Sequence, residues 1–153
     1  MIHKSDTQGF TFVELLVVLS IIAILVAVSV SALKNFRYAA SLKVATQEVY
    51  RSVVDARSNT LASQGNSVYG VRIATTSVTR FTGATYVATS TSNITYVFEY
   101  GVTATGTLAI SGTNVIFARL TGKPSATGTV YIRGASVVGT STLVIHASGL
   151  IEY

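Results

Sequence analysis

The sequence holds no cysteine, no tryptophan, one proline, two histidines and six acidic residues in 153 positions. Disulfides, thiolate metal sites and a cysteine nucleophile are therefore excluded. So few imidazoles and carboxylates leave little from which to build a metal or acid–base centre, and composition argues against an enzyme. Charged residues make up 11% of the chain, well below the quarter or so usual in soluble domains. Apolar residues fill 49%, and 38 residues are Ser or Thr. Low charge combined with high hydrophobicity also argues against disorder. The length suits one compact domain with an appendage.

The apolar content is segregated. Phe10–Leu33 reads FTFVELLVVLSIIAILVAVSVSAL, 24 residues with Glu14 as the single charge. The neutral stretch Leu15–Leu33 alone is 19 residues. As a helix it would be about 28 Å long, close to the ~30 Å hydrocarbon core of a bilayer. A membrane-spanning helix is the leading reading. A buried soluble helix would rarely lack a polar face over such a length. A cleaved secretory signal has a shorter apolar core followed by a small-residue cleavage site. This stretch instead runs directly into an amphipathic pattern.

Charge leaves the orientation open. Lys4 and the α-amine, offset by Asp6, precede the span, and Lys34, Arg37 and Lys43 follow it. Counting favours a cytoplasmic C-terminal flank, but long domains translocate largely regardless of charge. Glu14 is the anomaly. A carboxylate in a spanning segment is costly and calls for a partner, unless it lies at the interface and snorkels.

Gly9-Phe10-Thr11-Phe12-Val13-Glu14, followed by Leu15-Leu16-Val17-Val18-Leu19, resembles the leader junction of type IV pilins and type II secretion pseudopilins. The shared features are a short polar leader, a glycine, a phenylalanine, and a glutamate fifth from that phenylalanine inside a long apolar helix. The resemblance implies that a prepilin peptidase/N-methyltransferase cuts between Gly9 and Phe10. Phe10 would then become the N-methylated N-terminus of a chain of 153 − 9 = 144 residues. It also implies a single-pass protein of the bacterial inner membrane, N-terminus cytoplasmic and C-terminal domain periplasmic, which later enters a pilus or pseudopilus. Glu14 would pair with the N-terminal amine of a neighbouring subunit during assembly, because a carboxylate leaving water needs an opposite charge. Many family members carry a proline two-thirds along this segment. Here Ser29-Val30-Ser31 takes its place, so no proline kink can form.

After Leu33 the pattern becomes amphipathic. Tyr38, Leu42, Ala45, Val49, Val53 and Ala56 recur at spacings of three and four, with Lys43, Gln47, Glu48, Arg51 and Asp55 between them. Arg51 and Asp55 are placed for an i,i+4 pair. No breaker separates Phe12 from about Ser58, which predicts one helix ~70 Å long; the alternative is two helices with a bend near Ser29–Asn35. Ser63-Gln64-Gly65-Asn66-Ser67 supplies the turn that ends it. Expected segments are thus a leader 1–9, a transmembrane/assembly helix 10–33, its amphipathic continuation 34–63 and an extracytoplasmic β-domain 67–153.

From Ser67 the period drops to two. Tyr69, Val71 and Ile73 alternate with Val68, Gly70 and Arg72, and Ile94, Tyr96, Phe98 and Tyr100 form the clearest series. Val115/Phe117, Val130/Ile132 and Leu143/Ile145 add further pairs. Short strands with Gly, Ser, Thr and Asn separators predict an antiparallel β-domain, and the fold class is α+β. The glycines match no nucleotide-binding pattern. Segment 114–124, then Gly128–Ile132, then Leu143–Ile151, is similar in order to the terminal half of GspH/FimT-type minor pseudopilins and pilins. That resemblance implies a β-sandwich-like domain against the long helix.

The favoured function is a minor pseudopilin or pilin subunit of a type II secretion pseudopilus, acting in filament assembly and protein secretion. Partners implied by the resemblance are the peptidase, other pilin or pseudopilin subunits, an inner-membrane assembly platform and the bilayer. One alternative is a FimT-like type IV pilus subunit for adhesion, motility or DNA uptake. The net charge of +5 is compatible with a nucleic acid, although the basic residues are scattered along the chain. A second alternative is an uncleaved membrane-anchored binding domain. No catalytic residue, metal or cofactor is expected. His146 lies in a strand pattern, and Glu48, Asp55 and Glu99 form no recognisable catalytic set.

Overall fold

The computed structural model describes residues 9–108, 114–135 and 139–153. Two compact units are present, Met1–Phe36 and Arg37–Tyr153. A single helix, α1, Phe12–Leu61, is continuous through the Ser29–Asn35 stretch, where a bend between two helices was the alternative. It ends in a 3-10 turn at Gln64–Asn66, preceded by Ser63 in the left-handed region at φ 50°.

In the larger unit eight strands follow among the described residues. They are β1 (Tyr69–Ala74), β2 (Ser77–Thr82), β3 (Ile94–Val97), β4 (Thr103–Leu108), β5 (Asn114–Ile116), β6 (Gly128–Arg133), β7 (Thr140–Ile145) and β8 (Ile151–Glu152). They form two antiparallel four-stranded sheets, ordered β3-β2-β1-β5 and β4-β6-β7-β8. The fold is α+β, as the change of period from near four to two predicts.

The amphipathic stripe of α1 completes the core. Leu42, Ala45, Val49, Val53 and Ala56 are buried together with Val71, Ile73, Val78 and Val115 of one sheet and Val130, Ile132, Leu143 and Ile145 of the other. Each fully buried valine here contributes roughly 1.5–3 kcal/mol relative to exposure. Register explains which side chains arrive. Ala104 faces Ile132, and Val130 faces Leu143. The intervening Thr105, Thr129 and Thr142 belong to the opposite face, where a hydroxyl can stay in water.

The first sheet buries residues on both faces. Gly70 pairs with Phe81, and a Cβ at Gly70 would collide with the Phe81 ring. The missing side chain thus makes room for a fully buried aromatic. Tyr86 closes over Phe81 at 5.5 Å between ring centroids, and the Arg72 guanidinium lies 4.7 Å from the Tyr86 centroid.

The series Ile94–Tyr100 departs from expectation. Strand β3 stops at Val97, and Ile94 and Val97 are 60% and 61% exposed. Phe98 is buried, whereas Tyr100 sits at φ 51° in a turn. The reason is position: β3 is the edge of its sheet, so alternation there meets solvent beyond the last strand. Asp55 also departs. Its closest partner is Arg80 of β2, while Arg51 is 3.9 Å away. Burial raises the pKa of Tyr96, with the nearby carboxylates of Glu99 and Glu48 adding to the shift.

Where α1 meets β1, the buried Thr60 hydroxyl donates to the Ala56 carbonyl (2.8 Å) and accepts from the Tyr69 N–H (2.9 Å). Replacing Thr60 with the near-isosteric valine leaves that N–H without its partner. Chemical denaturation of the detergent-solubilised full chain should show a loss of about 1–3 kcal/mol.

Tyr96 predicts a pH effect of defined sign. Its pKa in the folded chain exceeds the unfolded value of 10.0, so between the two values the unfolded chain has lost a proton that the folded chain keeps. Stability is therefore full below the unfolded value and falls as pH rises toward and through the folded one. Denaturation across this alkaline window should show a shallower fall for Tyr96→Phe than for the parent chain.

Candidate functional site at the start of the apolar helix

Gly9 and Phe10 precede α1 and are exposed, Phe10 by 82%. A Cβ at Gly9 would meet nothing within 4 Å among the described residues. Packing within this chain thus places no demand for glycine at position 9. The rest of the expected leader, Met1–Gln8, lies outside the described residues.

Helix initiation is local. The Thr11 carbonyl accepts the first backbone bond from the Leu15 N–H at 3.2 Å. The Thr11 hydroxyl accepts from the Glu14 N–H at 3.2 Å. Thr11 is therefore the N-cap, and Glu14 is the third helical residue. A carboxylate there faces the positive end of the helix dipole. The Thr11-x-x-Glu14 spacing is the pattern of a capping box. Thr11 was not among the residues expected from sequence, yet that spacing was a legible signal for it. Glu14 consequently has a local role in starting the helix, whatever it meets beyond this chain.

The surface beyond Glu14 is apolar all round. Leu15, Leu16, Val17, Leu19, Ile21, Ile24, Leu25 and Val28 are each about half exposed or more. A window of α1 is long and apolar enough to cross a membrane, and none of it is buried within the protein. Its serines do not contradict this. Ser20 donates to the Leu16 carbonyl and Ser29 to the Leu25 carbonyl, both at 2.8 Å. Each hydroxyl is satisfied inside its own helix, as a lipid-facing polar group must be.

The β-domain offers no comparable chemistry. His146 lies just past β7, 3.3 Å from Glu152. Among the described residues no group of three His, Asp or Glu side chains could hold a metal ion. Arg57 Nε donates to the Gly122 carbonyl at 3.3 Å, in the turn whose sequence also carries Arg119 and Lys123. Arg119 in turn donates to Asn66 Oδ1 at 2.8 Å.

Residues 4–30 match the family model of the prokaryotic N-terminal methylation motif, which is the leader of type IV pilin-like proteins. No curated protein and no solved structure matches the chain. The matched segment holds Gly9, Phe10 and Glu14 and most of the exposed apolar helix. The chain thus carries a type IV pilin-like N-terminal motif on a helix that fits membrane anchoring, followed by an antiparallel β-domain.

Proposed function

We propose that the protein is a filament subunit of a type II secretion pseudopilus, a minor pseudopilin of the GspH/FimT-like kind that acts in assembly and protein secretion. The observation that carries this reading is the methylation motif joined to a helix whose apolar surface finds no cover among the described residues. Such a surface is at home in lipid before assembly and against neighbouring helices afterwards. The peptidase would cut between Gly9 and Phe10 on the cytoplasmic side, and Phe10 would be N-methylated. Glu14 would then receive the new amine of an adjacent subunit. The β-domain would face the periplasm, and the chain itself would perform no covalent step. The GspH/FimT-like order of the last three strand segments supports the minor branch.

A second reading is a FimT-like subunit of a type IV pilus, for adhesion, motility or DNA uptake. The net charge of +5, with Arg57 reaching the turn that carries Arg119 and Lys123, favours it. Neighbouring genes distinguish the two: a general-secretion cluster supports the pseudopilus, and a retraction ATPase supports the pilus.

Glu14→Ala tests the shared core of both readings. Breaking a buried ion pair by removing one partner costs about 3–5 kcal/mol. Membrane insertion should stay normal, while recovery of the variant in sheared filaments should fall by more than about tenfold. N-terminal sequencing of the parent should begin at N-methylated Phe10. Parental levels of Glu14→Ala in filaments, or retention of Met1–Gly9 in the mature protein, would refute the proposal.

A further inference from the structure

Arg57 is a cation held in place with no opposite charge beside it. Its Nε donates to the Gly122 carbonyl, and this is its only hydrogen bond among the described residues. The ion pairs there are Arg51–Asp55, Arg80–Asp55 and His146–Glu152, so Arg57 meets no carboxylate. Two glycine turns close on it. Gly122 at φ 63° and Gly149 at φ 83° both adopt backbone that a side chain would strain. A Cβ at Gly122 would press on Arg57 Nε at 3.1 Å, and one at Gly149 would collide with both that Nε and the Gly122 carbonyl oxygen. The stem of the arginine is thereby fixed, and its two Nη groups are left uncommitted.

Arg57 borders a cleft of about 560 Å³ between α1 and the β7–β8 turn. Val54, Leu150 and Ile151 give the cleft apolar walls, Tyr50 and Ser148 add hydroxyls, and Arg57 is its one charged lining residue. Strand β8 is the edge of its sheet. The His146 N–H donates to the Leu150 carbonyl, and one position on Ile151 stands opposite Ile145. Bonded and non-bonded pairs alternate in an antiparallel ladder, so the N–H and C=O of Ile151 point away from β7, toward the open edge. Tyr50 and Arg57 are seven residues apart, about 10 Å along α1. About three residues of extended chain have that length.

We propose that this cleft binds the free C-terminus of an extended peptide whose last residue is apolar. The terminal carboxylate sits on the Nη fork of Arg57, and the last side chain lies against Val54 and Leu150. The peptide backbone adds beside Ile151 as a further strand. Strand addition and capture of a terminal carboxylate are both general modes of peptide recognition. The planar guanidinium fork matches the two carboxylate oxygens. Clasped already by two turns, it loses little freedom on binding. One cation among apolar walls suits a single carboxylate, whereas a nucleic-acid backbone needs a row of cations. The site goes beyond the filament reading and is the same whichever filament the chain joins.

The probe is a fluorescein-labelled heptapeptide ending in leucine, offered to the detergent-solubilised full chain as the free acid or as the C-terminal amide and followed by anisotropy. The free acid should bind saturably and at least about tenfold more tightly than the amide, which lacks the charged partner for Arg57. That comparison needs no variant. Arg57→Gln should bring the free acid down to the level of the amide. Leu150→Glu should weaken free-acid binding by a similar factor, because it sets a like charge in the wall. Leu150 is 54% exposed and takes no part in the Arg57–Gly122 bond, so this variant keeps the turn. In the complex the Ile151 N–H should exchange with deuterium more slowly than in the free chain. Equal binding of acid and amide, no saturation at millimolar peptide, indifference to Leu150→Glu, or unchanged exchange at Ile151 would overturn the proposal. So would a single-stranded oligonucleotide that binds through Arg57 where the peptide does not.

Discussion

Everything in this protein depends on one helix having to satisfy two surroundings. Around Leu42–Thr60 the side chains of α1 at spacings of three and four are buried under two sheets. Between Phe12 and Leu33 the same helix, Glu14 apart, is apolar, and its membrane-length window is not buried among the described residues. The first half of α1 therefore fits membrane anchoring. Sparse charge follows from this demand. Glu14 is tolerated at the very start, in the first turn, where its charge lies at the positive end of the helix dipole.

The β-domain meets a different constraint, that of capping the amphipathic stripe. Neither sheet has enough inward residues alone, and the core closes only when Val71 and Val78 from one and Val130 and Leu143 from the other meet Val49 and Val53. Thr60 ties the helix to β1 by spending one hydroxyl on both a helical carbonyl and a strand N–H. The threonine-rich outer faces then let a weakly charged surface remain hydrated.

Local pattern made much of this legible. The stripe Leu42–Ala56 and the pairs Val130/Ile132 and Leu143/Ile145 are buried as their spacing predicts, because periodicity is a property of neighbouring residues. The N-terminal methylation motif was equally plain, and the Thr11 cap lay within the same few residues. Exposure at β3 was not legible, since whether Ile94 meets a neighbour depends on where its strand falls in the sheet. Nor was the second partner of Asp55, because Arg80 arrives from 25 positions away through the pairing of β2 with β1, whereas Arg51 lies one helical turn off as its spacing predicts.

The sequence by itself determined the two-part character of the chain, an apolar helix carrying a methylation motif and an amphipathic helix followed by short strands. Those features are written in composition and period, which need no knowledge of what lies across the fold. Only the tertiary structure decided which charges are paired and which are left over. Arg80 reaches Asp55 from β2, and Arg57 reaches the Gly122 carbonyl through the space that Gly149 leaves. Charge placement is set by long-range topology, and no spacing along the chain encodes it.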